Sequence, residues 1–191
     1  MATVRAFVAI LLAAEIRERL ATEVERLRPI LQDVVWVGRD NAHLTLKFLG
    51  GVDAARLDAV AEALNGAAAG AGPFDLGVGG LGAFPSPARA RVLWAGVDEG
   101  AAEAAALAGR VDEALVPLGF EREGREFSAH VTLGRVRTPR SNPGVAAALG
   151  GAGRFGRQRV DRLALMRSEL SPRGPRYTEL AAAPLAAGSP G

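Results

Sequence analysis

The alternation of apolar and polar residues divides the chain into short strands and amphipathic helices. Apolar runs of five to nine residues bounded by turn residues indicate strands, and apolar positions repeating every three to four residues indicate helices. The pattern predicts strands at 4–11, 41–49, 74–80, 91–97, 127–135, 159–168 and 176–180, a short apolar run at 33–37, helices at 14–28 and 101–116, a helix capped by Asp53, a small-residue loop at 65–73, and a short helix starting at Asn142-Pro143.

The two halves of the chain resemble each other at a single offset of 87 residues. Residues 4–8 match residues 91–95, and Leu20 and Val24 match Leu107 and Val111. The set His43, Thr45 and Leu46 matches the set His130, Thr132 and Leu133, and Leu76 and Pro85 match Leu163 and Pro172. One gapless offset over four elements indicates a tandem duplication. Two generic α+β stretches in phase by chance are the alternative.

This organisation predicts an α+β fold with two pseudo-symmetric lobes, each running strand–helix–strand–helix–strand. We expect one bilobal domain over residues 1–180, with repeat halves at about 4–89 and 91–180. The segment 181–191 is rich in alanine, glycine and proline, and we expect it to be a flexible tail.

The apolar run after Arg5 has two interpretations. It resembles a short secretion signal, but Glu15 and its charged neighbours continue directly into a helical pattern, and the repeat requires the run as a strand. It is far too short to span a membrane. We therefore expect a buried strand in a cytoplasmic protein without membrane association. The absence of cysteine excludes disulfides, thiolate nucleophiles and Cys-based metal sites.

Positive charge is concentrated in the second half, although the net charge is only +2. Between Arg135 and Arg176, ten arginines stand against only Asp161 and Glu169. Such an excess is typical of a surface that attracts phosphate. A solvated face in a chain with Lys47 as its only lysine is an equally good interpretation.

The only two histidines occur in the same context, His43-Leu-Thr45-Leu and His130-Val-Thr132-Leu. Alternate side chains of a strand share a face, so each histidine points with its threonine away from the core. If the lobes pair about a pseudo-twofold axis, both pairs face one cleft. Two imidazoles can act there as acid and base near neutral pH, and hydroxyls can bind phosphate oxygens. This set suits cleavage of a phosphodiester.

Other interpretations of these residues are weaker. A lone histidine on a strand is usually packed or solvated, but two histidines in duplicated contexts are not explained in that way. Two histidines without a close third ligand fall short of a zinc site, so we expect no metal and no cofactor. The chain contains no nucleophile elbow, and the glycines at 77–80 do not lie between a strand and a helix in a dinucleotide-binding arrangement.

These motifs resemble the 2H phosphoesterase superfamily, which is named for two H-x-[T/S]-x motifs. The resemblance is strongest to the bacterial and archaeal RNA 2′,3′-cyclic phosphodiesterases, formerly called 2′-5′ RNA ligases, and it covers nearly the whole chain. The segments that carry it are 5–10, 41–50, 82–85, 91–96, 127–135, 165–170 and 174–177. One departure is Ala129, where relatives often have proline before the second histidine.

The resemblance implies antiparallel sheets that line a V-shaped groove, with helices outside. It also implies metal-independent hydrolysis of a 2′,3′-cyclic phosphate to a 2′-phosphomonoester. By position, His43 is then the proton donor to the leaving 3′ oxygen and His130 the proton acceptor that activates water, while Thr45 and Thr132 hold the phosphate. The nearly symmetric sequence does not itself assign acid and base.

The resemblance also places Arg135 near the phosphate. Strand parity puts Arg135 on the face opposite His130, so this role requires a bulge or a strand end; an ordinary surface arginine is the alternative. The equivalent position in the first half is Phe48, which makes the halves unequal. Parity places Lys47 on the His43 face, where it either attracts phosphate or is simply exposed.

The expected substrate is an RNA end carrying a 2′,3′-cyclic phosphate. If the same proton transfers are run backwards, they also allow 2′-5′ ligation. Two alternatives stay open: a related phosphodiesterase for small cyclic nucleotides, and a non-catalytic module that binds RNA ends. The arginine-rich stretch favours a longer polyanion over a mononucleotide. We expect a monomer without an obligate protein partner, because the duplication already supplies an internal twofold.

Overall fold

The computed structural model describes residues 2–138 and 143–186, which form an α+β fold as predicted. The strands are β1 (Thr3–Leu11), β2 (Val34–Trp36), β3 (His43–Asp53), β4 (Phe74–Phe84), β5 (Val92–Glu99), β6 (His130–Val136), β7 (Arg154–Val160), β8 (Arg162–Ser171) and β9 (Gly174–Pro184). The helices are α1 (Ala14–Leu27), α2 (Leu57–Ala69), α3 (Ala101–Leu115) and α4 (Pro143–Leu149).

The strands of the described residues form one antiparallel sheet in the order β7-β4-β5-β6-β3-β1-β8-β9, with β2 paired to β6. The expectation was a separate sheet in each lobe. In the structure the two expected sheets are one continuous sheet, because β3 and β6 pair at its centre through Leu44 and Val131. The two strands that begin with the histidines are therefore neighbours in the middle of the sheet.

Each lobe contains strands from both halves of the sequence, which differs from the expected self-contained halves. Strand β4 of the first half pairs with β5, and β8 of the second half pairs with β1. The order of elements is nevertheless the same in both halves: β1, α1, β3, α2 and β4 correspond to β5, α3, β6, α4 and β8. The exchange of the last strand ties the lobes together, and the duplication itself stays a prediction.

The main core lies between the sheet and helices α1, α2 and α3. Leu44 and Leu46 of β3 are buried there with helix residues such as Ile16, Val60 and Leu107. This burial leaves the alternate residues of β3 on the opposite face of the sheet, away from these helices. The face that carries His43 is thus free to form a cleft.

The run that resembles a secretion signal is an interior strand. Residues Ala6 to Ile10 of β1 are buried, and β1 lies between β3 and β8. No helix within residues 2–138 and 143–186 is long and apolar enough to cross a membrane.

Several predicted boundaries were wrong, including the ends of β3 and β4, which each extend four residues further than expected. The expected loop at 65–73 is helical as far as Ala69, because alanine is the best helix former and Ala67 and Ala68 pack into the core. Strand β6 begins at His130 rather than at 127. Strand β7 was largely missed, because it is an edge strand whose arginines hide the apolar alternation. The predicted short helix is α4; Asn142 lies outside the described residues.

The prediction of a flexible tail from residue 181 onwards was wrong for residues 181–186. Strand β9 continues to Pro184, which pairs with Arg162 of β8, and Ala183 and Leu185 are buried. The backbone of Leu185 donates to the carbonyl of Asp161 at 2.8 Å. Burial of apolar side chains therefore outweighs the loop-like composition. Residues 187–191 lie outside the described residues.

Five of the described arginines of the arginine-rich stretch pair with carboxylates, and all but one of these five pair with acids from outside the stretch. The ion pairs are Arg154 with Asp98 and Glu99, Arg157 with Asp75 and Glu99, Arg159 with Asp75, Arg162 with Glu179, and Arg167 with Glu169. The guanidiniums of Arg157 and Arg154 lower the pKa of Glu99 to about 2. The expected broad phosphate-attracting surface is accordingly reduced; Arg140 lies outside the described residues.

Lys47 lies in the interior, so both expectations for it were wrong. Its side chain is only 7% exposed and its ammonium donates to Asp112 at 2.5 Å and to the carbonyl of Glu121 at 2.8 Å. A buried ammonium needs this pairing, because an isolated charge in an apolar interior is costly. Lys47 therefore anchors β3 to α3 and does not attract phosphate.

We expect Asp112→Ala to lower the free energy of unfolding by about 3 kcal/mol, because it leaves the Lys47 ammonium buried without its counter-ion. Adding Lys47→Met should recover part of this loss. The control Glu113→Ala removes the neighbouring acid of α3, which is 63% exposed and paired with Arg122 at the surface, and should cost less than about 1 kcal/mol. Urea unfolding measures all three; equal losses for Asp112→Ala and Glu113→Ala would contradict the prediction.

Candidate active site

A cleft of about 340 Å³ opens on the face of the sheet opposite α1, α2 and α3. It is lined by all five residues that the sequence singled out, namely His43, Thr45, His130, Thr132 and Arg135. Strands β3 and β6 each contribute one histidine and one threonine, and the two strands adjoin at Leu44 and Val131. The structure thus brings both imidazoles and both hydroxyls to one space.

An irregularity in β3 changes which side chains face the cleft. Thr45 pairs with Ala9 and Lys47 with Val8, so Leu46 is an extra residue without its own partner in β1. Beyond this bulge the alternation is inverted. Lys47 consequently turns into the core, while Phe48 turns to the cleft and is 68% exposed at its rim.

The equivalent irregularity occurs in β6. Thr132 pairs with Trp94 and Gly134 with Leu93, so Leu133 is the extra residue on that strand. The inverted alternation places Arg135 on the same side of the sheet as His130. A phosphate-binding role for Arg135 required a bulge of this kind. Arg135 and Phe48 therefore hold matching positions in the two strands, and both line the cleft.

Both histidines are fixed in the same tautomer by backbone carbonyls. The Nδ1 atom of His43 donates to the carbonyl of Asn41 at 2.7 Å, and that of His130 donates to the carbonyl of Ser128 at 2.7 Å. Because a carbonyl only accepts, Nδ1 carries the proton and Nε2 of a neutral ring has the free lone pair. Each Nε2 is thus the atom available for proton transfer.

The two imidazoles differ in their surroundings. The hydroxyl of Thr45 lies 2.9 Å from Nε2 of His43 and donates to it when the ring is neutral. Burial lowers the pKa of His43, and the charge of His130 lowers it further, against the opposing effect of the bond to Asn41. The free site therefore favours a neutral His43.

Aromatic rings hold both imidazoles in place. The ring of His43 lies 4.8 Å from Phe7 and 5.3 Å from Tyr177, and the ring of His130 lies 5.0 Å from Phe84 in an edge contact. Phe84 in turn lies 5.2 Å from Trp94. Phe7 and Trp94 thus pack in support of the two histidines, and Phe127 packs against the core.

Several cleft residues were not singled out from the sequence. They include Arg5, Ser168 and Tyr177, each of which was noted only as part of a segment that carries the family resemblance. Burial raises the pKa of the Tyr177 phenol, whereas the charges of Arg135 and Arg5 oppose this shift. Two cations thus act on one side of the cleft. No pattern in β1 or β9 indicates this convergence, because it depends on the sheet order.

Residues 2–138 and 143–186 contain no group of three or more His, Asp or Glu side chains that could hold a metal ion. The cleft offers two imidazole nitrogens, two hydroxyls and the cations of Arg5 and Arg135. Such a set can bind a phosphate anion and exchange protons with it.

A curled antiparallel sheet with two histidine–threonine pairs in one cleft is the arrangement of a two-histidine phosphoesterase. The family model described as LigT like phosphoesterase matches the chain twice, at residues 10–94 and 96–177. The chain belongs to this family.

Relatives of one name match almost the whole chain. The RNA 2′,3′-cyclic phosphodiesterase of Methanothermobacter thermautotrophicus is 35% identical over 93% of this chain and 96% of its own length. The enzyme of the same name from Archaeoglobus fulgidus is 38% identical over 92% of this chain and 97% of its own.

Solved structures show the same fold. A Thermus thermophilus protein superposes with a TM-score of 0.80 at 28% identity, covering 97% of this chain and all of that one. The structure of Escherichia coli LigT complexed with 3′-AMP superposes with a TM-score of 0.73 at 26% identity, covering 96% of this chain and 99% of that one.

The lowered pKa of His43 predicts how stability depends on pH. Because the folded state favours the neutral ring, the unfolded chain takes up the proton first as the pH falls below about 6.5. This contribution is absent at pH 8 and destabilises the fold progressively between pH 6.5 and the folded pKa. We expect His43→Gln to remove this acid destabilisation. The difference in free energy of unfolding between variant and parent should therefore shift in favour of the variant when the pH is lowered from 8 to 5.5. Urea unfolding in phosphate-free buffer measures this; identical pH dependence in both proteins would refute it.

Proposed function

We propose that this protein hydrolyses 2′,3′-cyclic phosphate ends of RNA to 2′-phosphomonoesters, with His43 and His130 as its acid–base pair. The observation that carries the proposal is the convergence of two equivalent His–Thr pairs on one cleft. It is supported by relatives named RNA 2′,3′-cyclic phosphodiesterase that match more than nine-tenths of the chain.

The reaction requires two proton transfers on opposite sides of one phosphorus. Nε2 of His130 takes a proton from water as the water oxygen forms its bond to phosphorus. Nε2 of His43 gives a proton to O3′ as the bond between phosphorus and O3′ breaks, which leaves the phosphate on O2′. Because each Nδ1 is held by a carbonyl, both Nε2 atoms face the reaction.

A proton donor must be protonated, whereas burial lowers the pKa of His43 in the free site. The substrate itself resolves this conflict. A phosphodiester carries a negative charge, and an anion beside an imidazole favours the protonated ring. The carbonyl of Asn41 also favours it, because Nδ1 donates to that oxygen at 2.7 Å. The assignment of His43 as donor follows the family resemblance.

The remaining polar groups bind the phosphate. The hydroxyl of Thr45, which occupies Nε2 of His43 in the free site, turns to a non-bridging oxygen when substrate enters, and Thr132 does the same from the other strand. Arg135 lies on the cleft side of β6 because of the bulge at Leu133. Donors aimed at the charge that develops in the transition state lower the barrier.

The proposal needs no metal, because the two imidazoles supply both proton transfers. Ligation to a 2′-5′ linkage is the same attack on phosphorus with a ribose 5′-hydroxyl in place of water: the hydroxyl oxygen bonds to phosphorus as the bond to O3′ breaks. Small cyclic nucleotides fit the same chemistry, and the ion-paired arginines of β7 and β8 weaken the charge argument for a longer substrate.

The direct experiment is to incubate an RNA that ends in a 2′,3′-cyclic phosphate with the protein and to identify the product. We expect a 2′-phosphate end, formed at the same rate with and without EDTA. A 3′-phosphate product or activity that depends on added metal would contradict the mechanism. Binding without turnover would favour the non-catalytic module.

A further inference from the structure

A second cavity of about 280 Å³ adjoins the cleft at His43. The two spaces share the rings of Phe7, His43 and Tyr177. These rings contact one another with centroids 4.8, 5.0 and 5.3 Å apart, so they form a partition one ring thick. We call this space the side cavity; beyond the three rings it is bounded by Leu11, Leu12, Arg17, Asp40, Asn41 and Met166.

The side cavity has an apolar side suited to a flat ring. Leu11 and the Tyr177 ring line it and are partly exposed, whereas Phe7, Leu12 and Met166 also line it but are at most 6% exposed. Proteins recognise single-stranded RNA chiefly by stacking unpaired bases on aromatic and arginine side chains. Its volume is just below the range of about 300–1,000 Å³ usual for small-molecule sites, which suits one nucleoside.

The cavity is also lined by polar groups, among them an incompletely paired cation. The Nε atom of Arg17 is buried and has no hydrogen-bond partner within the described residues, and Nη1 of Arg17 lies 3.8 Å from the carboxylate of Asp40, which also pairs with Arg39 at 3.3 Å. Arg162 also lines the cavity but pairs with Glu179 at 2.9 Å. Arg17 thus has donors to offer to an incoming anion.

One residue links the side cavity to the reaction centre. The carbonyl of Asn41 accepts from Nδ1 of His43 at 2.7 Å, and the side-chain amide of Asn41 donates to the carbonyl of Pro175 at 2.7 Å. This amide ties the segment before β3 to the start of β9. The geometry of the side cavity and that of the His43 ring are therefore held by the same contacts.

We propose that the side cavity binds the nucleotide that precedes the cyclic-phosphate end, with its base against Leu11 and the Tyr177 ring and its phosphate at Arg17. This inference rests on the proposed function. An RNA chain carries base rings joined by anionic phosphates, which matches a partly apolar lining and a cation beside the cleft. The side cavity then makes the enzyme prefer oligonucleotides to mononucleotides.

The test compares two substrates, a diadenylate with a 2′,3′-cyclic phosphate end and 2′,3′-cyclic AMP. Arg17→Met keeps the aliphatic stem and removes the charge. It should raise KM for the dinucleotide about 10-fold more than KM for the mononucleotide, with little change in kcat. Asp40→Asn removes the competing carboxylate and should lower KM for the dinucleotide about two- to threefold.

The matched control is Arg19→Met, because Arg19 also lies on α1 but is exposed and paired with Glu15. It should leave the ratio of the two KM values unchanged. An equal effect of Arg17→Met on both substrates, or an equal shift in the Arg19→Met protein, overturns the subsite. If the unaltered protein hydrolyses both substrates with the same KM, the subsite is wrong while the reaction stands; if it hydrolyses neither, the proposed function fails.

Discussion

One extra residue in each of two central strands determines what this protein presents to a substrate. Leu46 in β3 and Leu133 in β6 interrupt the regular pairing and invert the alternation of the residues that follow. Without them, Arg135 and Phe48 would face the core side, and the charged group of Lys47 would enter the cleft. With them, each strand offers a histidine, a threonine and one larger group to the same space, while Lys47 is held by Asp112.

The backbone of the cleft is nearly symmetric, whereas the proposed reaction is not, since it requires one imidazole to give a proton and the other to take one. The asymmetry comes from the side chains around the rings. His43 is enclosed by Phe7 and Tyr177 and bonded to Thr45, whereas His130 has an edge contact with Phe84. The side cavity adjoins only the His43 ring of the two. A nearly symmetric backbone therefore surrounds its two histidines with unequal environments.

Local patterns predicted most of this structure. The apolar periodicity located the helices and every strand except β7, and the repeated His-x-Thr context identified the four residues at the centre of the cleft, because rare side chains in a regular spacing stand out in a sequence. Features that depend on distant partners were not predictable. The acids that pair with Arg154 and Arg157 come from β4 and β5, Lys47 meets an acid of α3, and the burial of Leu185 requires the packed core. Only the requirement for a bulge at Arg135 could be stated in advance.

The most direct test of the account is the kcat of three variants, His43→Ala, His130→Ala and the double variant, on RNA with a 2′,3′-cyclic phosphate end. If both imidazoles act on one phosphorus in one step, each single variant loses at least about 10²-fold and still binds the RNA. The double variant should then be no slower than the slower single variant, because removing either group disables the pair. Losses that multiply, or a single variant that turns over at the parental rate, would contradict the shared site.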